Sequence, residues 1–124
     1  MGNDKYYDAL TGKVTVHNYI SLGEINNIKV IMSTGEVDNG LPRHSITSNI
    51  YFYYSKKKKA IIRVGFYDEN HTLIKRMDWD HTHKDFKKGT PHIQYFTDNE
   101  AHALNEEEQK IFDELKRRNF QYEN

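Results

Sequence analysis

The chain has 124 residues, no cysteine, 18 basic and 18 acidic side chains, and 13% aromatic residues. That length fits one domain over residues 1–124, and the lack of cysteine excludes disulfides and thiolate zinc sites, leaving His, Asp and Glu as the strong metal ligands. No apolar run approaches the roughly 18 residues needed to cross a bilayer, and Met1 to Lys5 lack the apolar stretch of a signal peptide, so a soluble cytoplasmic protein with no membrane partner is expected.

Period-two apolar patterns dominate the first hundred residues. Val14, Val16 and Tyr19 suggest a first strand, and Ile28, Val30 and Met32 a second. Thr34 to Ser48 holds Gly35, Asp38-Asn39-Gly40 and Pro42 and reads as a long polar loop. Asn49 to Tyr54 is the strongest strand signal, and the lysines at 56 to 59 place a turn after it, because four ammonium groups do not suit a core strand. Ala60 to Tyr67 and Thr72 to Asp80 flank the turn-prone Asp68-Glu69-Asn70-His71 and predict a β-hairpin. A loop through Lys87, Lys88 and Gly89 then leads to a strand at His92 to Phe96, where Pro91 is tolerable at the strand start.

Asn105 offers an N-cap with Glu108 three residues on, followed by the apolar stripe Ile111, Phe112 and Leu115 and by Lys116, Arg117 and Arg118. Acid first and base last complements the helix dipole, so a helix is predicted here. The expected architecture is α+β: an antiparallel sheet of about five or six strands with one C-terminal α-helix packed on a face.

Zero net charge conceals an uneven distribution. Residues 55–92 carry ten Lys/Arg against five Asp/Glu, whereas residues 93–124 carry four against eight. The basic segment is interleaved with Phe66, Tyr67, Trp79 and Phe86, a composition that attracts a phosphate backbone, so RNA or single-stranded nucleic acid is the expected partner. Trp79 reads first as a core anchor on the sheet, and the Lys56 to Lys59 run first as a solvated turn. There is no phosphate-binding glycine loop, which argues against nucleoside triphosphate chemistry.

Four of the seven histidines lie between His81 and His102. Imidazoles transfer protons near neutral pH, and cleavage of RNA by its own 2′-hydroxyl needs a base, an acid and cations around the crowded phosphorane. His81, His83 and His92 are the candidate catalytic groups, and Arg63, Arg76 and Lys88 the candidate phosphate anchors; Tyr67 or Tyr95 can replace one imidazole as proton donor. If the strand from Thr72 stays extended to His83, then Leu73, Met77, Trp79, His81 and His83 share one face, and Arg76, Asp78 and Asp80 the other. A His-x-His pair is also a workable metal platform, with His92 or Asp85 as a third ligand. The chain shows no other ligand set at zinc-like spacing, so the acid/base reading leads and no metal or other cofactor is expected.

The run Gly65 to His83, followed by Pro91-His92-Ile93-Gln94, resembles the TumE-like toxin components of toxin–antitoxin pairs and some C-terminal domains of polymorphic toxins. In these a hairpin ends in an Arg/Asp-rich strand, a His-containing turn follows, and a Pro-His strand leads to a terminal helix. The resemblance implies growth inhibition by action on RNA, with Arg76, Asp78, His81 and His92 at the matching positions; Gln94 stands where such strands often carry a second His. The alternative, from another class, is a phage or mobile-element protein that blocks a host enzyme by binding it, with exposed Tyr and His as interface anchors. A protein partner is therefore either an antitoxin or a host enzyme.

Overall fold

Eight strands follow one another in sequence order across a single sheet in the computed structural model, which describes residues 2–8, 13–34, 40–45, 48–81, 86–97, 100–118 and 120, with side chains from residue 19 onward. They are β1 (Gly2–Asp8), β2 (Lys13–Ile25), β3 (Ile28–Ser33), β4 (Ile50–Ser55), β5 (Ala60–Tyr67), β6 (Leu73–Asp78), β7 (His92–Tyr95) and β8 (Ala101–His102), followed by α1 (Glu106–Arg118). The class is α+β, and the sheet holds more strands than the alternation pattern indicates. β1 and β8 are the additions. Every neighbouring pair is antiparallel except β3 and β4, which run parallel. The long segment between Ser33 and Ile50 permits that exception, since a parallel pair needs a crossover rather than a tight turn.

The turns have local causes. Ser55 closes the lysine turn by accepting from Lys59 N through its carbonyl and from Lys58 N through its hydroxyl, while Lys59 adopts a φ of 56°. In the β5–β6 hairpin the Asp68 carboxylate accepts from Asn70 N and Thr72 N, an Asx-type turn that seats His71 at a φ of 63°.

The two faces of the sheet are covered differently. On one, Phe112 and Leu115 of α1 pack against Val30, Phe52, Val64, Met77, Trp79 and Ile93, with Trp79 and Phe112 in edge contact at 5.1 Å. The helix begins with the reciprocal capping box: Glu108 N donates to Asn105 Oδ1 and Asn105 N to Glu108 Oε1, both at 2.8 Å. The buried Glu108 carboxylate also receives Lys75 Nζ at 2.6 Å, which ties the cap to β6. At the other end Glu114 binds Arg117 and Arg118, and Arg118 reaches Asn26 Oδ1 in the β2–β3 turn at 2.8 Å.

The opposite face carries tyrosines. Tyr19, Ile31, Tyr51, Tyr53, Ile62, Tyr67 and Leu73 cluster there, and the crossover segment lies over them with Leu41 packed in. Tyr19 donates its hydroxyl to Gly40 O and Tyr67 to Pro42 O, so that loop carbonyls removed from water keep partners. Gly65 makes the close approach possible, because a β-carbon there would stand 2.9 Å from Leu41 Cδ2. No helix among the described residues is long and apolar enough to cross a membrane.

Two outcomes follow for stability. Asn105→Ala is expected to cost about 1 kcal/mol, and Glu108→Ala more, because it also strands Lys75 beside the core; urea unfolding followed by circular dichroism measures both. Hydrogen bonds from Arg117, then Arg118 and Asn26, hold the Glu114 carboxyl at about 2, down from 4.5. A depressed pKa contributes stability that is present above 4.5 and lost as pH falls towards 2. Unfolding midpoints should therefore drop across that window, and less so in Glu114→Gln.

Candidate active site

Register sets the site. Tyr53, Arg63, Asp78 and His92 are successive cross-strand partners over β4, β5, β6 and β7, and Gly65, Arg76 and Gln94 form the next row. Directly opposed residues project to the same face, so both rows lie on the tyrosine side, away from α1.

Asp78 is fully buried at the centre. Its Oδ1 accepts from Arg63 Nε at 2.9 Å and its Oδ2 from Arg76 Nε at 2.8 Å, one carboxylate between two guanidiniums. Arg76 also reaches Gln94 Oε1 at 3.4 Å. Beside this group Asp80 Oδ1 pairs with His81 Nδ1 at 2.9 Å, while Asp80 Oδ2 receives Lys58 Nζ at 3.1 Å and lies 3.8 Å from Arg63 Nη2. Burial pushes the Asp80 carboxyl up, but the hydrogen bonds from His81 and Lys58 and the charges of Arg63 and Lys58 together carry it below its ordinary value. An ionised carboxylate only accepts, so Asp80 fixes the Nδ1–H tautomer of His81.

His81 reaches this face by a route the alternation pattern does not give. An extended strand would set it opposite Asp78; β6 instead ends at Asp78 and the chain bends at Asp80 and His81, with Gly89 N donating to Trp79 O at 2.7 Å. The His81 ring consequently meets the His92 ring edge-on at 5.3 Å, and His92 is fully buried against it and against Phe86 at 5.6 Å. Leu73 departs from the pattern as well. A register slip pairs Tyr67 with Leu73 but Phe66 with Lys75, leaving Leu73 on the tyrosine face and Met77 under the helix.

Of the residues singled out in the sequence, Arg63, Arg76, Asp78, His81 and His92 are brought together. His83 and Asp85 lie outside the described residues. Lys88 is exposed in the turn where Thr90 N donates to Lys87 O, before β7. The Tyr67 hydroxyl donates to Pro42 O, and Tyr95, paired with Lys75, lies on the α1 side of the sheet with its ring edge-on to His102 at 5.4 Å. His71 and His44 tie the hairpin turn to the crossover segment, through Ser45 Oγ at 3.0 Å and Thr72 Oγ1 at 3.4 Å.

Two participants escape sequence reasoning. Arg43 arrives from the crossover segment and, with Gly40, Leu41, Arg63, Arg76 and Phe96, bounds a cavity of about 190 Å³. Lys58, from the turn that reads as solvated, balances Asp80. For a cation, Asp78, His81 and His92 offer ligand atoms all within 4.8 Å of one another. Both Asp78 oxygens already accept from guanidiniums, however, and a dication there would stand against two arginines. Comparison of the chain with protein-family models, curated proteins and solved structures finds no match.

Proposed function

We propose that the protein acts on RNA, cleaving a phosphodiester by metal-free acid/base chemistry with the imidazole of His81 as the proton acceptor. The observation that carries this reading is the Asp80–His81 hydrogen bond set beside Arg63. His81 Nε2 takes the 2′-hydroxyl proton, the 2′-oxygen forms its bond to phosphorus, and the bond to the 5′-oxygen breaks, leaving a 2′,3′-cyclic phosphate and a 5′-hydroxyl. Arg63 offsets the charge of the phosphorane, where a guanidinium acts on the transition state more than on the bound substrate. The sequence offers His83 for the proton that the leaving 5′-oxygen takes up. His92, buried behind His81, acts in this scheme as a positioning residue. A toxin-like role in the cytoplasm, held in check by an antitoxin, fits such an activity and the resemblance of residues 65–94 to toxin domains.

A second reading rests on Ile74, Tyr95 and Phe96, three exposed large apolar side chains where Phe96 N meets Ile74 O at 3.3 Å and Tyr95 faces Lys75 across β6 and β7. Exposed apolar side chains of this kind at the β6–β7 end of the sheet suit a protein partner, as an inhibitor of a host enzyme requires.

The nuclease reading expects cleavage of RNA but not of DNA of the same sequence, a cyclic-phosphate product visible by mass spectrometry, and indifference to chelators. His81→Ala should reduce the rate by about 10²-fold or more, and Asp80→Asn should reduce kcat more than it changes KM. Growth arrest by the wild-type chain and none by His81→Ala would agree. Equal cleavage of DNA, or full activity in His81→Ala, would sink the mechanism, and absence of both cleavage and growth arrest favours the inhibitor.

A further inference from the structure

We infer that the cavity bounded by Gly40, Leu41, Arg43, Arg63, Arg76 and Phe96 is a binding site for a phosphate monoester dianion. The inference is independent of cleavage at His81, for it needs neither that imidazole nor a scissile bond.

Charge is the first argument. Three guanidiniums line the cavity; Asp78 binds Arg63 and Arg76, and Asp80 lies 3.8 Å from Arg63 Nη2. Asp80 is matched in turn by Lys58. Among the described residues the lining is therefore left with about two positive charges, the amount a phosphate monoester carries in negative charge near neutral pH and twice that of an internal phosphodiester.

Geometry is the second. Asp78 is buried and holds both arginines by their Nε edges, so their positions are set before any ligand arrives. Arg63 Nη2 lies 3.8 Å from Asp80 Oδ2 and Arg76 Nη2 donates to Gln94 Oε1 at 3.4 Å, so each guanidinium keeps its Nη1 for a further acceptor such as a phosphate oxygen. Arg63 Nη1 borders Gly40, where a β-carbon would stand 3.4 Å away. Gly40 has a φ of 76°, a conformation glycine adopts without strain.

The third argument is repulsion. Arg43 and Arg76 both stand over the Phe96 ring, 5.6 and 6.0 Å from its centroid. The ring quadrupole offsets part of the cost of gathering these cations, and an anion between them offsets the rest. At about 190 Å³ the space falls below the range of about 300 Å³ and upward typical of whole-ligand pockets. It suits a phosphate group whose ester substituent extends outward, as at a phosphorylated RNA end or in a nucleoside monophosphate.

Calorimetric titration of the full chain at low salt tests the inference with inorganic phosphate, a nucleoside 5′-monophosphate, dimethyl phosphate, and one RNA oligonucleotide in 5′-phosphate and 5′-hydroxyl forms. Saturable binding of the phosphate dianions, with dimethyl phosphate at least about tenfold weaker, is expected. Arg43→Gln should weaken binding of the dianions about tenfold or more, as loss of a charged hydrogen bond does, with an unchanged circular dichroism spectrum because the Arg43 side chain is exposed. His81→Ala should bind phosphate as the wild type does, which separates this site from the proposed cleavage. Tighter binding of 5′-phosphate RNA than of the nucleotide, or the reverse, supports the site and names its source. Equal affinity for dimethyl phosphate and inorganic phosphate, or wild-type binding by Arg43→Gln, overturns it.

Discussion

A carboxylate with no exposed surface needs compensation, and Asp78 obtains it from two guanidiniums at once, Arg63 on the neighbouring strand and Arg76 two residues back on its own. Taking one arginine away would leave a buried charge half matched, and taking Asp78 away would leave two cations side by side, so the three residues stand or fall together. The interaction also fixes geometry. It pins the last residue of β6 to β5 just before the chain turns towards His81, and it aims two cations at the cavity under the crossover segment.

The division of labour between the faces follows from what covers each. Apolar residues under α1 are closed by a helix whose cap reaches back through Glu108 to Lys75, so stability is concentrated on that side. The other face is covered by the segment around Leu41 and Pro42, which lies on tyrosines and satisfies its carbonyls with their hydroxyls, and by His81 and Phe86 over His92. That segment runs over Gly65 and meets the Arg63 guanidinium at Gly40, so charged side chains gather at its margin. A polar site beside a small lid can thus coexist with a well-packed core one strand thickness away.

Local chemistry was legible in the sequence wherever a signal is complete within a few residues. The Asn105/Glu108 box, the Asp68 turn, the lysine turn and the β4 and β5 strands are of this kind. β8 is two residues long, and Gly2–Asp8 shows no apolar alternation, so pairing with a neighbour rather than its own pattern makes each a strand. Alternation also assumes an unbroken strand. One slip at Phe66/Tyr67 and one bend after Asp78 were enough to put Leu73 and His81 on the face opposite the expected one. For the site, the histidines and arginines were readable as residue types, whereas Arg43 depends on where a crossover lands, which no local pattern records.

Charge bears on the two chemistries that the same side chains suggest. Asp78, His81 and His92 have the composition and spacing of a metal site, and in isolation would be read as one. Two guanidiniums on Asp78 reverse the local sign, because a carboxylate shared between cations attracts anions to its neighbourhood rather than a further cation. The Asp80–His81 pair lies at the edge of that positive field, with Arg63 bridging the two carboxylates at 2.9 and 3.8 Å. Arg63 lines the cavity and also lies beside Asp80, the carboxylate that orients the His81 imidazole. In the proposed function, that sharing of Arg63 joins binding to chemistry.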